Sequence, residues 1–254
     1  MNHMPQPSHL ANPVYCAIDT VDSLAAARLV EALAGGERPA VGGIKLGLEF
    51  FLAHGAAGVE GAFPRKLRQS SRVGFFLDLK LHDIPNTVAG AIRAVAPLEA
   101  TYITIHAAGG TAMMRAAVAE AADQAARLGG RRARLLGVTV LTSLDDSDLA
   151  TAGVNRTAAD QALRLAALAQ AAGLDGVICS PQEVAALRTA CGPDFVLMVP
   201  GIRPAGAASG DQKRVMTPRE AMALGASHLV IGRPITAAAQ PLQAAQAIAG
   251  ELGH

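Results

Sequence analysis

Asp78, Lys80 and Asp83 place two carboxylates around one amine within a short run. Residues two apart on a strand face the same side, so Asp78 and Lys80 share a face if the strand extends that far. Asp83 follows where the strand must give way to a turn. The preceding Phe75-Phe76-Leu77 is apolar, so three charges close a segment that otherwise reads as core. An uncompensated buried charge costs several kcal/mol. The group therefore either opens into a polar mouth or forms a paired network. A lysine held between carboxylates stays protonated, and it can then serve as a point charge and as a general acid. A purely structural ion-pair network is the competing reading.

Other polar residues recur at the ends of apolar runs: Asp19, Lys45, His106, Thr142 with Ser143, Ser180, Arg203 and Arg233. Each has a plainer explanation. Asp19 could cap the following helix, Lys45 could run its stem along apolar surface to water, and the arginines could form surface ion pairs. His106 reads as a hydrogen-bonded rim residue, and His82 and Cys179 as structural. Gly201, Gly206 and Gly210 loosen a loop that also carries Arg203 and Gln212, and Gly232-Arg233 opens a later helical region. Backbone N–H groups with a guanidinium suit a phosphate.

The elements that must position these residues follow a repeating order. Apolar strands are expected over 14–19, 41–46, 73–79, 101–106, 134–141, 176–180, 195–199 and 228–231, each followed by helical sequence. Near-continuous apolar strands alternating with helices belong to parallel sheets covered by helices. Eight such units in 254 residues fit a closed (β/α)8 barrel, a TIM barrel, whose active sites lie at the C-terminal ends of the strands and whose phosphate sites recur after strands seven and eight. A doubly wound open sheet is the alternative. The first strand is not followed by the Gly-x-Gly-x-x-Gly of dinucleotide binding. One barrel domain is expected over 13–254, with 1–12 as a loose tail that has neither the basic start nor the apolar core of a signal peptide.

Composition narrows the partners. A formal net charge of +1 gives no global field for nucleic acid or acidic membranes, and aromatics at 3% with no Trp argue against base-stacking platforms. No apolar run reaches membrane-spanning length. Three scattered cysteines, Cys16, Cys179 and Cys191, have no metal-ligand or disulfide spacing and read as reduced thiols of a cytoplasmic protein.

The run Asp78-Leu79-Lys80-Leu81-His82-Asp83-Ile84-Pro85-Asn86-Thr87 resembles the signature of the orotidine 5′-phosphate decarboxylase family. Ala17-Ile18-Asp19, Ile44-Lys45-Leu46-Gly47, Leu141-Thr142-Ser143, Pro200-Gly201-Ile202-Arg203-Pro204, Gly210-Asp211-Gln212-Lys213-Arg214 and Val230-Ile231-Gly232-Arg233-Pro234-Ile235-Thr236 resemble the same family in the same order. The resemblance implies decarboxylation of orotidine 5′-monophosphate to uridine 5′-monophosphate in pyrimidine biosynthesis, with no metal and no organic cofactor. It implies Lys80 as proton donor within an array of Lys45, Asp78, Lys80 and Asp83. Asp19 and Lys45 would hold the ribose, Thr142 and Ser143 would meet the base, and Arg203, Gln212, Gly232 and Arg233 would hold the phosphate. It also implies a homodimer in which Asp83 and Thr87 serve the neighbouring subunit's site.

Two other readings share parts of this pattern. A metal-dependent sugar-phosphate decarboxylase or aldolase shares Asp78-x-Lys80-x-x-Asp83 but needs acidic ligands at the second strand, where this chain has Lys45; a Schiff-base lysine is a variant of it. A non-catalytic nucleotide-binding barrel would need the phosphate residues but not the Asp/Lys array.

Overall fold

The computed structural model describes residues 12–70, 72–204 and 216–254. Gln212, most of the expected tail and most of the loop after the seventh strand lie outside them.

Eight parallel strands close into a barrel in sequence order: β1 (Val14–Ile18), β2 (Gly43–Gly47), β3 (Gly74–Leu81), β4 (Tyr102–His106), β5 (Arg134–Val138), β6 (Gly176–Ile178), β7 (Val196–Val199) and β8 (His228–Ile231), with β8 pairing back onto β1. The closed ring excludes the open-sheet alternative. Around it run α1 (Ser23–Ala34), α2 (Leu48–Ala62), α3 (Arg65–Arg68), α4 (Pro85–Val95), α5 (Gly110–Leu128), α6 (Asp146–Thr151), α7 (Ala158–Ala171), α8 (Val184–Cys191), α9 (Pro218–Ala223), α10 (Arg233–Thr236) and α11 (Pro241–Glu251). Among the described residues, no helix is long and apolar enough to cross a membrane.

The strands are apolar on both faces because both faces are buried. Val14, Cys16, Ile18, Ile44, Leu46, Phe75 and Leu77 pack outward beneath the helices. Tyr15, Ala17, Phe76, Tyr102, Leu136, Val196, Met198 and Val230 fill the interior. Helix boundaries follow local chemistry. The Asp22 side chain accepts from the Leu24 and Ala25 N–H groups and caps α1, which removes the capping explanation for Asp19. Pro85 occupies the first turn of α4, where its missing N–H costs nothing. Gly55, at φ +59°, breaks α2.

The N-terminal end of the barrel is closed by rings. Tyr15 meets Phe76, Tyr102 and His228 edge-on, at centroid distances of 6.3, 5.8 and 5.1 Å. Space for Tyr15 comes from glycine: a Cβ on Gly43 would fall 2.1 Å from its ring, and one on Gly74 2.2 Å from its hydroxyl. His228 Nε2 lies 3.0 Å from the Tyr102 hydroxyl, and its Nδ1 is shielded from solvent without a hydrogen-bond partner among the described residues.

Burial, reinforced by the Arg134 charge, pushes the His228 imidazole down to about 4. Above pH ~6.5 the ring is neutral in both folded and unfolded chains. As pH falls from there, the unfolded chain takes up a proton that the folded one refuses. Stability is lost until about pH 4, by a total of about 3 kcal/mol from this group. Urea titrations at pH 7, 5.5 and 4.5 are expected to show the loss. In His228→Gln the fall over this range should be shallower; an unchanged slope would place the pH dependence elsewhere.

Several strand ends differ from the expected ranges, β6 for one stopping at Ile178 rather than at residue 180, and two of the differences bear on the site. β5 ends at Val138, not at residue 141, because β6 offers no partner beyond Ile178. The Thr139 hydroxyl donates to the Ile178 carbonyl, at 2.8 Å, and the chain then leaves the sheet. Thr142 and Ser143 thus sit in a loop ahead of α6, a helix the sequence reading did not anticipate and which Asp145 and Asp148 nucleate through a capping box. β3 is longer than expected and reaches Leu81.

Candidate active site

The extension of β3 is irregular. Its register against β4 runs Phe76 with Tyr102 and Leu77 with Ile103, then resumes at Leu81 with Ile105. Three residues, Asp78 to Lys80, lie opposite Thr104 alone, so the strand bulges there. Lys80 has φ +49°, one of two described non-glycine residues in the left-handed region. That backbone costs on the order of 1–2 kcal/mol for an L-residue and persists only where surrounding contacts over-determine it. The expected shared face of Asp78 and Lys80 is present, but a bulge rather than plain alternation produces it.

The charges form one chain of contacts. Lys80 Nζ lies 2.7 Å from Asp78 Oδ2, Lys45 Nζ 3.5 Å from the same oxygen, and Lys45 Nζ 3.0 Å from Asp19 Oδ1. Thr104 donates to Asp78 Oδ1 at 2.8 Å and accepts the Lys80 backbone N–H at 2.9 Å. Lys45, Asp78 and Thr104 are buried, at 8, 7 and 0% exposure, whereas the Asp19 side chain is 56% exposed. Burial alone would raise the Asp78 carboxyl, but Lys45, Lys80 and its hydrogen bonds outweigh it and hold the group below the usual carboxylate range. Burial likewise opposes the Lys45 charge, and Asp78 and Asp19 overcome it, so its ammonium is held above the usual lysine range. A buried carboxylate bracketed by two ammonium groups is stable only as a set. Here the set opens to solvent through Lys80 and Asp19, whose side chains are 30% and 56% exposed.

Asp83 stands apart. Its Oδ1 accepts the Ile84 N–H at 2.6 Å, and among the described residues it makes no ion pair with Lys45 or Lys80 of its own chain. Residues 82 to 87, Thr87 among them, are all exposed. His106 ends β4 with its ring 5.2 Å from that of His82; burial, with His82 and Lys80 nearby, pushes its imidazole below the ordinary range.

Of the residues expected to hold a phosphate, Arg203, Gly232 and Arg233 lie among the described residues, at the same end of the barrel. Arg203 is buried four residues past β7, donating from Nη1 to the Ile202 carbonyl at 3.0 Å, while its backbone N–H bonds Met216 across the loop. Gly232 follows β8 directly and caps α10, with Arg233 exposed beside it. Strands β7 and β8 are neighbours. Thr142 is half-buried and Ser143 exposed. Among the described residues, no group of three or more His, Cys, Asp or Glu side chains could hold a metal ion.

Sequence reasoning missed Thr104. Its only signal was position: between Tyr102 and His106 on one face of a strand, a lone hydroxyl faces the barrel interior.

A closed parallel barrel with a paired Lys/Asp network and arginines at the C-terminal mouth defines a (β/α)8-barrel enzyme. The family model for "Orotidine 5′-phosphate decarboxylase / HUMPS family" matches residues 12–248, and the chain belongs to that family. It is 54% identical to the orotidine 5′-phosphate decarboxylase of Paramagnetospirillum magneticum, over 96% of this chain and 100% of that one. It is 51% identical to that of Rhodospirillum rubrum, over 98% and 97%. The crystal structure of orotidine 5′-phosphate decarboxylase from Lactobacillus acidophilus superposes with a TM-score of 0.79 at 37% identity, covering 96% of this chain and 100% of that one.

Proposed function

We propose that this chain decarboxylates orotidine 5′-monophosphate to uridine 5′-monophosphate and carbon dioxide, with Lys80 as the proton donor. The observation that carries the reading is the contact of Lys80 Nζ with Asp78 at the open end of the barrel, in a chain of this family. Breaking the bond between carbon 6 and its carboxylate leaves the electron pair on a carbon with little delocalisation. An ammonium stabilises that charge and then delivers its proton to carbon 6. Asp78 holds Lys80 and Lys45 in place by charge, and Lys45 in turn holds Asp19. Asp19 and Lys45 are assigned to the ribose, Thr142 and Ser143 to the base, and Arg203, Gln212, Gly232 and Arg233 to the phosphate. Phosphate binding far from carbon 6 supplies energy for positioning the reacting end.

The working unit in this reading is a homodimer. The exposed run 82–87 carries Ile84, 66% exposed, and among the described residues Asp83 makes no ion pair with Lys45 or Lys80; both features suit a surface that donates Asp83 and Thr87 to a second copy. Residues 13–254 act as one catalytic domain, and the buried, unbridged Cys16 and Cys179 suit a cytosolic setting.

The chemistry assigned to Lys80 calls for no metal. Purified protein is therefore expected to turn over orotidine 5′-monophosphate in EDTA, followed by the absorbance change as product forms. Absence of turnover would sink the reading. Activity on sugar phosphates that needs added Mg²⁺ would favour the metal-dependent alternative instead.

A further inference from the structure

Thr104 lies beneath the charge network rather than in it, and no residue motif above assigns it a task. It is completely buried, and both hydrogen-bonding capacities of its hydroxyl are engaged with the network. The proton goes to Asp78 Oδ1, at 2.8 Å. A lone pair takes the Lys80 backbone N–H, at 2.9 Å. The second contact falls where the β3–β4 ladder breaks, between the pairs Leu77 with Ile103 and Leu81 with Ile105. In a regular ladder the Lys80 N–H would meet a backbone carbonyl. Here a side-chain hydroxyl takes its place, at the one residue of the network whose backbone is left-handed, with φ +49°.

We propose that Thr104 is a positioning residue for the reaction: one hydroxyl fixes both the Asp78 carboxylate and the strained Lys80 backbone, and so sets where the Lys80 ammonium points. The inference rests on the decarboxylase reading for its kinetic consequence, but its structural half stands without it. Thr104 does not touch the reacting atoms; it acts through Asp78 and Lys80. Its β-branch narrows the choice of χ1, so the hydroxyl is held toward both partners at once. Without the hydroxyl, the Lys80 N–H loses its acceptor and Asp78 Oδ1 its donor. The bulge then has less to hold it, and the chain at residue 80 can relax toward ordinary extended backbone. Asp78 Oδ2 still attracts both ammonium groups, so the charges stay together while their aim changes.

The test uses the full chain with Thr104→Val, which keeps the shape and removes the hydroxyl, and Thr104→Ser, which keeps the hydroxyl and removes the methyl. Thr104→Val is expected to lower kcat by about tenfold to a hundredfold, the loss attached to misplacing a reacting group. KM should change by less than about threefold, because the phosphate and ribose residues are untouched. Thr104→Ser should recover kcat to within about threefold of the unmodified chain, since the hydrogen bonds rather than the methyl aim the lysine. A second readout needs no turnover: the Lys80 amide, protected from hydrogen exchange in the unmodified chain and in Thr104→Ser, should exchange faster in Thr104→Val.

The inference is overturned if Thr104→Val keeps kcat within twofold, if its loss lies wholly in KM, or if Thr104→Ser is as impaired as Thr104→Val. Unchanged protection of the Lys80 amide in Thr104→Val also overturns it. Should the unmodified chain lack decarboxylase activity while Lys80 protection still follows the hydroxyl, the decarboxylase reading fails and the positioning role stands.

Discussion

Lys80→Ala is expected to lower kcat on orotidine 5′-monophosphate by about four orders of magnitude or more while leaving uridine 5′-monophosphate binding measurable. Proton delivery by a positioned acid contributes roughly 10²–10⁴-fold, and a preorganised charge beside a developing anion a further 10²–10³-fold. In the role proposed for Lys80 one side chain supplies both, so the losses fall together. Binding should survive because the residues proposed for the phosphate follow β7 and β8 in the chain, whereas Lys80 belongs to β3. The fold should survive too. Asp78 keeps Lys45 at 3.5 Å and the Thr104 hydrogen bond, so its carboxylate is not left as a lone buried charge. Single-turnover kinetics and nucleotide titration on the same sample separate the two effects. Turnover retained within tenfold would remove Lys80 from the role of proton donor.

The second large effect concerns subunit mixing. If the chain works as the proposed homodimer, Lys80→Ala and Asp83→Asn should each be nearly inactive alone, yet co-expression should restore activity. If Asp83 serves the partner's site, a mixed dimer holds one doubly altered site and one wholly native site. Random pairing then makes half the dimers mixed and returns roughly a quarter of full activity, as a symmetric two-site dimer requires. If Asp83 instead serves its own chain's site, every site in the mixture carries one defect and nothing is restored. The outcomes differ by orders of magnitude, so a crude assay of purified mixed dimers decides between them. The geometry that motivates the experiment is local: Asp83 has turned to its own backbone, bonding the Ile84 N–H, while Lys80 faces Asp78.

Much of this was legible in the residues themselves. Parallel strands buried on both faces are written as apolar runs, and their ends are marked by the polar residues that follow, so the barrel and the rim bearing Asp19, Lys45, Asp78 and Lys80 could be placed from order alone. The β8 range 228–231 agrees with the structure. What stayed hidden depends on neighbours in space. Val138-Thr139-Val140-Leu141 has the composition of a strand, yet its pairing is decided by where β6 stops. Either Asp22 or Ser23 could cap α1; the hydrogen bonds choose Asp22 and leave Asp19 for Lys45. The left-handed backbone at Lys80 has no signature in a lysine, and the hydroxyl that meets it lies on another strand. Gln212 falls outside the described residues.

Tyr15, Gly43 and Gly74 constrain how this barrel can change over generations. A side chain at either glycine collides with the Tyr15 ring or its hydroxyl, and overpacking of that kind costs about 1–3 kcal/mol where the neighbour cannot yield. Tyr15 is itself enclosed by Phe76, Tyr102 and His228, so it has little room to yield. Either first step costs stability: a shortened residue 15 leaves a cavity among buried rings, and an enlarged glycine overpacks the same space. Only a paired change restores the fit. Three positions far apart in the chain are thus tied to one another, so that each accepts a new residue only in company, at the end of the barrel opposite the chemistry.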